Sequence, residues 1–226
     1  MNPVLFWDID GTLLTTGRAG IFAWEDAALQ LLGKKIDLST LRTAGLPDYE
    51  IAVKILEAAY TAPSPDLVTS LLRLYETYLP SSLPRKSGNV LHGVREILNH
   101  LRNQPDILSI LLTGNTRTGA MTKLAYYGLD AYFAVGAFSD VGMDRPTIAQ
   151  KALDLARGIR QGLSLDQIYV IGDTPHDIHC GKVIGARVIA VATGSYSLTE
   201  LLCHDPWWAI EKLPEPEIFI KKIFSS

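Results

Sequence analysis

The run Val4-Leu5-Phe6-Trp7-Asp8-Ile9-Asp10-Gly11-Thr12-Leu13 decides how this chain is read. Four apolar residues predict a buried strand, and two acids stand where it emerges. Side chains two apart share a strand face, and the glycine after Asp10 predicts a turn there. Carboxylates at the end of a buried strand need their charge compensated, and a divalent metal is the simplest compensator. A second acidic turn, Gly172-Asp173-Thr174-Pro175-His176-Asp177, follows the apolar run Gln167–Ile171. Two such turns, far apart in sequence, predict one metal-assisted site where they meet in space.

Outward from these turns, short apolar runs alternate with helical patterns. Strands are predicted at Val4–Trp7, Ile107–Leu112, Ala131–Val135, Gln167–Ile171 and Arg187–Ala192. Helices are predicted near Val94–Asn103, Thr116–Tyr127, Thr147–Gly158 and Asp177–Ile184. That alternation predicts an α/β fold, a doubly wound parallel sheet with its strand ends on one side. Gly17 to Arg85 breaks the pattern: Phe22–Leu32, Asp48–Tyr60 and Pro65–Tyr78 read as helices, and Pro80–Ser87 as a returning linker. The expected organisation is a core of residues 1–16 and 86–226 and an all-helical insertion of 17–85. Its place directly after the acidic turn favours a mobile cap over simple packing on the core, with hinges at Gly17, Gly20 and Pro84 to Gly88.

The 226 residues are 47% hydrophobic and 20% charged, which excludes a disordered chain. A net charge of −3 gives no reason to expect nucleic acid or an anionic membrane as partner. No apolar run is long enough to span a bilayer, and acids at positions 8 and 10 arrive too early for a signal peptide. Cys180 and Cys203 form neither a disulfide framework nor a metal motif. They read as core residues in a reducing, cytoplasmic protein. The oligomeric state is left open.

Several residues can carry chemistry, each beside a plainer reading. One of Asp8 and Asp10 can act as nucleophile while the other moves a proton; an aspartate before glycine is also a common turn residue. Thr113-Gly114-Asn115 ends an apolar strand before a helix, which suits anion binding or a helix cap. Arg145 stands at a helix start and can neutralise a phosphate or the carboxylates; Lys151, one turn on, is its rival. Asp173 and Asp177 offer hard oxygen ligands suited to Mg2+, or simply cap a helix. His176 reads as a loop residue lining the site and His179 as structural.

In order, Asp8-Ile9-Asp10-Gly11-Thr12-Leu13, Thr113-Gly114-Asn115, Arg145 and Gly172-Asp173-Thr174-Pro175-His176-Asp177 resemble the four motifs of the haloacid dehalogenase-like hydrolase superfamily. The resemblance spans nearly the whole chain and comes nearest to the phosphoglycolate phosphatase-like branch, with the insertion similar to its C1-type cap. It implies a Rossmann-like core and a Mg2+-dependent phosphatase working on a small phosphorylated metabolite. Asp8 would attack phosphorus, Asp10 would serve as acid and then base, and Thr113 and Arg145 would complete the catalytic set. Asp8, the carbonyl of Asp10 and Asp173 would hold Mg2+, with Asp177 supporting them from behind. Gly11, Gly114 and Asn115 would help bind substrate.

Two departures from the family pattern bear on this. Arg145 stands where a lysine is usual, and Thr43-Ala44-Gly45-Leu46-Pro47-Asp48 only loosely follows the branch's cap pattern. Arg18, Arg42 and Tyr49 are candidates for substrate contact by type and position. Single residues bear on the other chemistries of this scaffold. Asp10 argues against a dehalogenase; a phosphonatase would need a cap lysine, for which Lys34 and Lys35 are the candidates. A sugar-phosphate mutase shares the acid pair, and a non-catalytic phosphate binder would have no use for it. Trp207-Trp208 reads as a packed surface feature or a small interface.

Overall fold

Val4–Trp7 forms strand β1, and all four side chains are fully buried. Alternation along the strand sends Val4 and Phe6 into one apolar cluster and Leu5 and Trp7 into another. Such a strand lies inside a sheet covered on both faces. The computed structural model describes residues 2–39, 41–140 and 142–225. After β1 come β2 (Leu14–Thr15), α1 (Ala19–Leu32), α2 (Asp48–Ala58), α3 (Pro65–Ser82), β3 (Asn89–Val90), α4 (Val94–Arg102) and β4 (Leu108–Leu112). Then follow α5 (Arg117–Tyr126), β5 (Gly136–Ala137), α6 (Arg145–Ile159), β6 (Ile168–Gly172), α7 (Pro175–Val183), β7 (Arg187–Val191), α8 (Leu198–Leu202), β8 (Trp208–Ile210) and α9 (Pro216–Phe224).

Among the described residues, six parallel strands form one sheet in the order β5-β4-β1-β6-β7-β8. β1 is central, with Val4 opposite both Leu108 and Ile168. The chain order reverses on either side of it, so the carboxyl ends of β1, β4 and β6 open onto a crevice, the usual ligand position in such sheets. The sequence-predicted α/β sheet is thus present.

The three helices α1–α3 pack around an apolar cluster of their own, which includes Ala23, Ala27, Ile55, Leu71 and Leu79. Trp24 stacks on Tyr75 with ring centroids 3.9 Å apart. α1 ends where Gly33 takes φ 64°, a left-handed conformation that costs glycine little. The chain leaves the core through β2 and returns through β3, which pair antiparallel with Leu14 opposite Val90. Among the described residues no helix is long and apolar enough to cross a membrane.

Three expectations need correction, and one strand was not foreseen. Ala131–Val135 is no strand: Asp130–Tyr132 makes a 3-10 turn and pairing starts at Gly136. A Cβ at Gly136 would press on Leu111 and Phe138, so the ladder closes where the chain carries no side chain. The supposed linker Pro80–Ser87 is largely helical, because α3 runs through Pro80 and a 3-10 turn covers Leu83–Arg85. Burial of Leu79 and Leu83 carries the helix past the amide that proline lacks. Trp208–Ile210 is an unforeseen edge strand, with Trp208 packed 6.3 Å from Phe219 and so part of the core's rim. Cys180 is buried as expected, but Cys203 is exposed.

The Trp24–Tyr75 stack should govern the stability of the helical insertion. Trp24→Ala is expected to cost about 3–5 kcal/mol, measured as a lowered denaturation midpoint.

Candidate active site

Asp8 continues β1, its amide donating to Ile171 O at 3.0 Å, so its side chain projects from the central strand's end. Asp173 directly follows β6, the neighbouring strand. Both are almost fully buried. Gly11 takes φ 84° and turns the chain beneath Asp173, whose Oδ1 accepts from Thr12 Oγ1 at 3.2 Å. A Cβ at either Gly11 or Gly194 would run into the Asp173 carboxylate, so both positions must be bare.

Asp177 is completed differently. Its Oδ2 accepts from the Thr174 hydroxyl at 2.7 Å and the Thr174 amide at 3.1 Å, closing a capping box at the start of α7. Its Oδ1 is bonded by Arg145. Arg145, at the first turn of α6 and nearly fully buried, also reaches Asp8 Oδ1 at 3.4 Å, and its Nε has no partner among the described residues. Lys151 points outward to Asp140 on the exposed side. Geometry therefore places Arg145, not Lys151, among the carboxylates.

Burial raises the Asp8 carboxyl above its ordinary value; Arg145 opposes this and Asp10 adds to it. Burial, reinforced by Asp8, pushes Asp173 up to about 8. Asp8, Asp173 and Asp177 each bring a carboxylate oxygen within 4.8 Å of the others. With Asp177 engaged by Arg145 and Thr174, Asp8 and Asp173 are the under-compensated pair. Hard oxygen donors, short of positive charge and kept clear by two glycines, fit a divalent metal.

Asp10 lies further out, its side chain 42% exposed. Its Oδ2 accepts from Asn115 Nδ2 at 2.8 Å and from Lys123 Nζ at 2.6 Å. Lys123 also donates to Asn115 Oδ1 at 2.6 Å. Thr113, fully buried at the end of β4, accepts from Asn115 Nδ2 at 2.8 Å. Lys123 was missed in the sequence. The signal was there: from the helix cap Thr116, the steps to Ala120 and Lys123 keep to one face of α5, and that face is buried. Burial would lower the Lys123 ammonium, but Asp10, Tyr75 and Asp48 together hold it above its ordinary value.

A cavity of about 740 Å³ lies between the strand ends and the helical insertion. Asp8, Asp10, Arg145 and Lys123 line its floor, with Arg18 and Arg42 on the insertion side. Tyr49, Lys34 and Lys35 are not lining residues. His176 does not line the cavity either; it packs beneath Gly45, where a Cβ would strike its ring. His179 is exposed. The insertion grips the loop after β4: the Asp48 amide donates to Gly114 O at 2.7 Å, and Asp48 Oδ2 accepts from the Thr116 amide at 2.7 Å. Thr116 Oγ1 donates to Glu76 Oε1 at 2.6 Å. Gly114 is needed here, since a Cβ would meet Leu46 O and Pro47.

A parallel sheet that gathers acids at its central strand ends, beneath a cavity closed by helices, has the build of a hydrolytic enzyme. The chain belongs to the haloacid dehalogenase-like hydrolase family, whose sequence model matches residues 4–191. It is 28% identical over 218 residues to the protein named "Probable phosphatase IndB" of Dickeya dadantii, covering 95% of this chain and 92% of that one. It is 25% identical over 219 residues to "Pyrophosphatase PpaX" of Halalkalibacterium halodurans, covering 95% and 94%. The crystal structure of a predicted phosphatase from Clostridium acetobutylicum shares the fold, with a TM-score of 0.75, 17% identity and full coverage of both chains.

Burial raises Asp48 from its ordinary 3.8 to about 7. Between those values the folded state holds a proton that the unfolded state has lost, so this contribution to stability declines as pH rises. Asp48→Asn keeps an acceptor for Thr116 and has no such slope. Its Tm relative to wild type should improve progressively from about pH 4 to about pH 7 and level off above; a constant difference would refute the assignment.

Proposed function

We propose that this chain is a Mg2+-dependent phosphatase that hydrolyses a small phosphomonoester through an aspartyl-phosphate on Asp8. The observation that carries the reading is the division of labour between two aspartates of one strand end. Asp8 is buried beside Asp173 and Arg145, whereas Asp10 opens to the cavity and is held by Asn115 and Lys123. The metal would sit between Asp8 and Asp173 with the Asp10 carbonyl, and when bound it offsets the charge of a dianionic ester.

The residues then act in turn. An Asp8 carboxylate oxygen attacks phosphorus, the bond to the leaving oxygen breaks, and Asp10 gives that oxygen its proton. Water next attacks phosphorus, Asp10 takes its proton, and the Asp8–phosphorus bond breaks to release orthophosphate. The Thr113 hydroxyl and the Gly114 and Asn115 turn hold phosphoryl oxygens, and Arg145 keeps Asp8 fixed. Asp177 locks Arg145 from behind.

Residues 17–85 act as a cap that excludes water, seated through Asp48 on the Gly114–Thr116 turn. Arg18 and Arg42 on the cavity wall suit an ester with an anionic tail, such as phosphoglycolate. Lys34 and Lys35 lie off the cavity, which disfavours a phosphonatase. Two free cysteines, one of them exposed, fit a reducing, cytoplasmic setting.

Phosphate release from 4-nitrophenyl phosphate, phosphoglycolate and pyrophosphate tests the reading. Activity should require Mg2+, vanish with chelator, and fall on the order of 10³-fold or more in Asp8→Asn. Folded protein that releases no phosphate from any of them, or that isomerises a sugar phosphate instead, would overturn it.

A further inference from the structure

We propose that Lys123 is the positioning residue for Asp10, a role that rests on the phosphatase reading above. Lys123 is only 5% exposed, and an ammonium so placed needs partners for its donors. Asp10 Oδ2 and Asn115 Oδ1 each accept at 2.6 Å. Asn115 Nδ2 returns a bond of 2.8 Å to the same Asp10 oxygen. The three side chains form a closed triangle with one corner on the proton-transfer carboxylate.

The triangle treats the two oxygens of Asp10 unequally. Oδ2 has two donors, one of them charged. Among the described residues Oδ1 accepts no hydrogen bond, and Asp10 borders the cavity. Pinning one oxygen fixes the carboxylate plane and leaves the other free to meet the leaving oxygen or the water. Charge-assisted bonds hold such an orientation more firmly than neutral ones. Asp48 and Tyr75 face Lys123 from the insertion, so seating the cap also shields the triangle from water.

The two half-reactions depend on Asp10 differently when the leaving group is 4-nitrophenolate. As Asp8 bonds to phosphorus, this anion departs with the bonding electrons and needs little proton assistance. Hydrolysis of the aspartyl-phosphate still needs Asp10 to accept a proton from water. A misaimed Asp10 should therefore slow the second half-reaction selectively.

Lys123→Met keeps an unbranched side chain one atom shorter and removes the charge. Rapid mixing of this variant with 4-nitrophenyl phosphate and Mg2+ should give a stoichiometric burst of nitrophenol. The later turnover should be about 10- to 100-fold slower than wild type, with KM changed less than about threefold. Asp10→Asn should show the same burst, and adding Lys123→Met to it should cost nothing further. If circular dichroism shows Lys123→Met unfolded, Lys123→Gln, which retains a donor but no charge, should show the same burst with later turnover slowed by more than about twofold. Turnover within about twofold of wild type, or an equal loss with and without Asp10, overturns the Lys123 role alone. Wild type without turnover overturns the phosphatase reading and this role together.

Discussion

Asp8 and Asp173 are pressed together out of water at the ends of neighbouring parallel strands, and their mutual repulsion organises what surrounds them. Two like charges about 4 Å apart repel by about 4 kcal/mol at an effective dielectric near 20. A hydroxyl bond to a carboxylate, such as Thr12 supplies to Asp173, offsets only about 1.5–3 kcal/mol. Arg145 cannot serve both acids, because it is divided between Asp8 and Asp177. The pair is thus left short of positive charge, and the sheet leaves room for a cation beside it. Bare backbone at Gly11 and Gly194 keeps that space clear.

The helical insertion is joined to this arrangement through a few polar contacts with the turn after β4. Asp48 takes both an amide and a carbonyl of that turn, and Glu76 takes the Thr116 hydroxyl. The same turn carries Asn115, which holds Asp10. Closure of the cavity and orientation of the carboxylate therefore share one short stretch of backbone. Gly114 permits this, since any side chain there would hold Leu46 and Pro47 away.

Much of this was legible in the sequence where a local rule was strong. The apolar run ending in Asp8, the strand-to-helix turn after Leu112 and the proline-led start of α7 each announced their structure. The two acidic turns were expected to meet in space, and the structure brings Asp8 and Asp173 together. What escaped depended on tertiary context. β5 is two residues long, too short for any periodicity, and Trp208–Ile210 is an edge strand defined by its neighbour. α3 continues through Pro80 because of what Leu79 and Leu83 bury. Nothing local sets the role of Lys123 apart from that of other helix lysines, because its partner Asp10 lies 113 residues away.

The central place of β1 also shapes how the chain comes into being. Its partners are Leu108–Leu111 on one side and Ile168–Ile171 on the other, so the first strand made waits for its second neighbour until Ile168–Ile171 has been made. Until residue 171 leaves the ribosome, a wholly apolar strand has at least one bare edge. Local contacts cannot cover it, and pairing over such sequence distances forms slowly. A nascent chain with an open apolar edge is prone to pair with its neighbours, a hazard that the finished fold, with β1 enclosed on both sides, does not reveal.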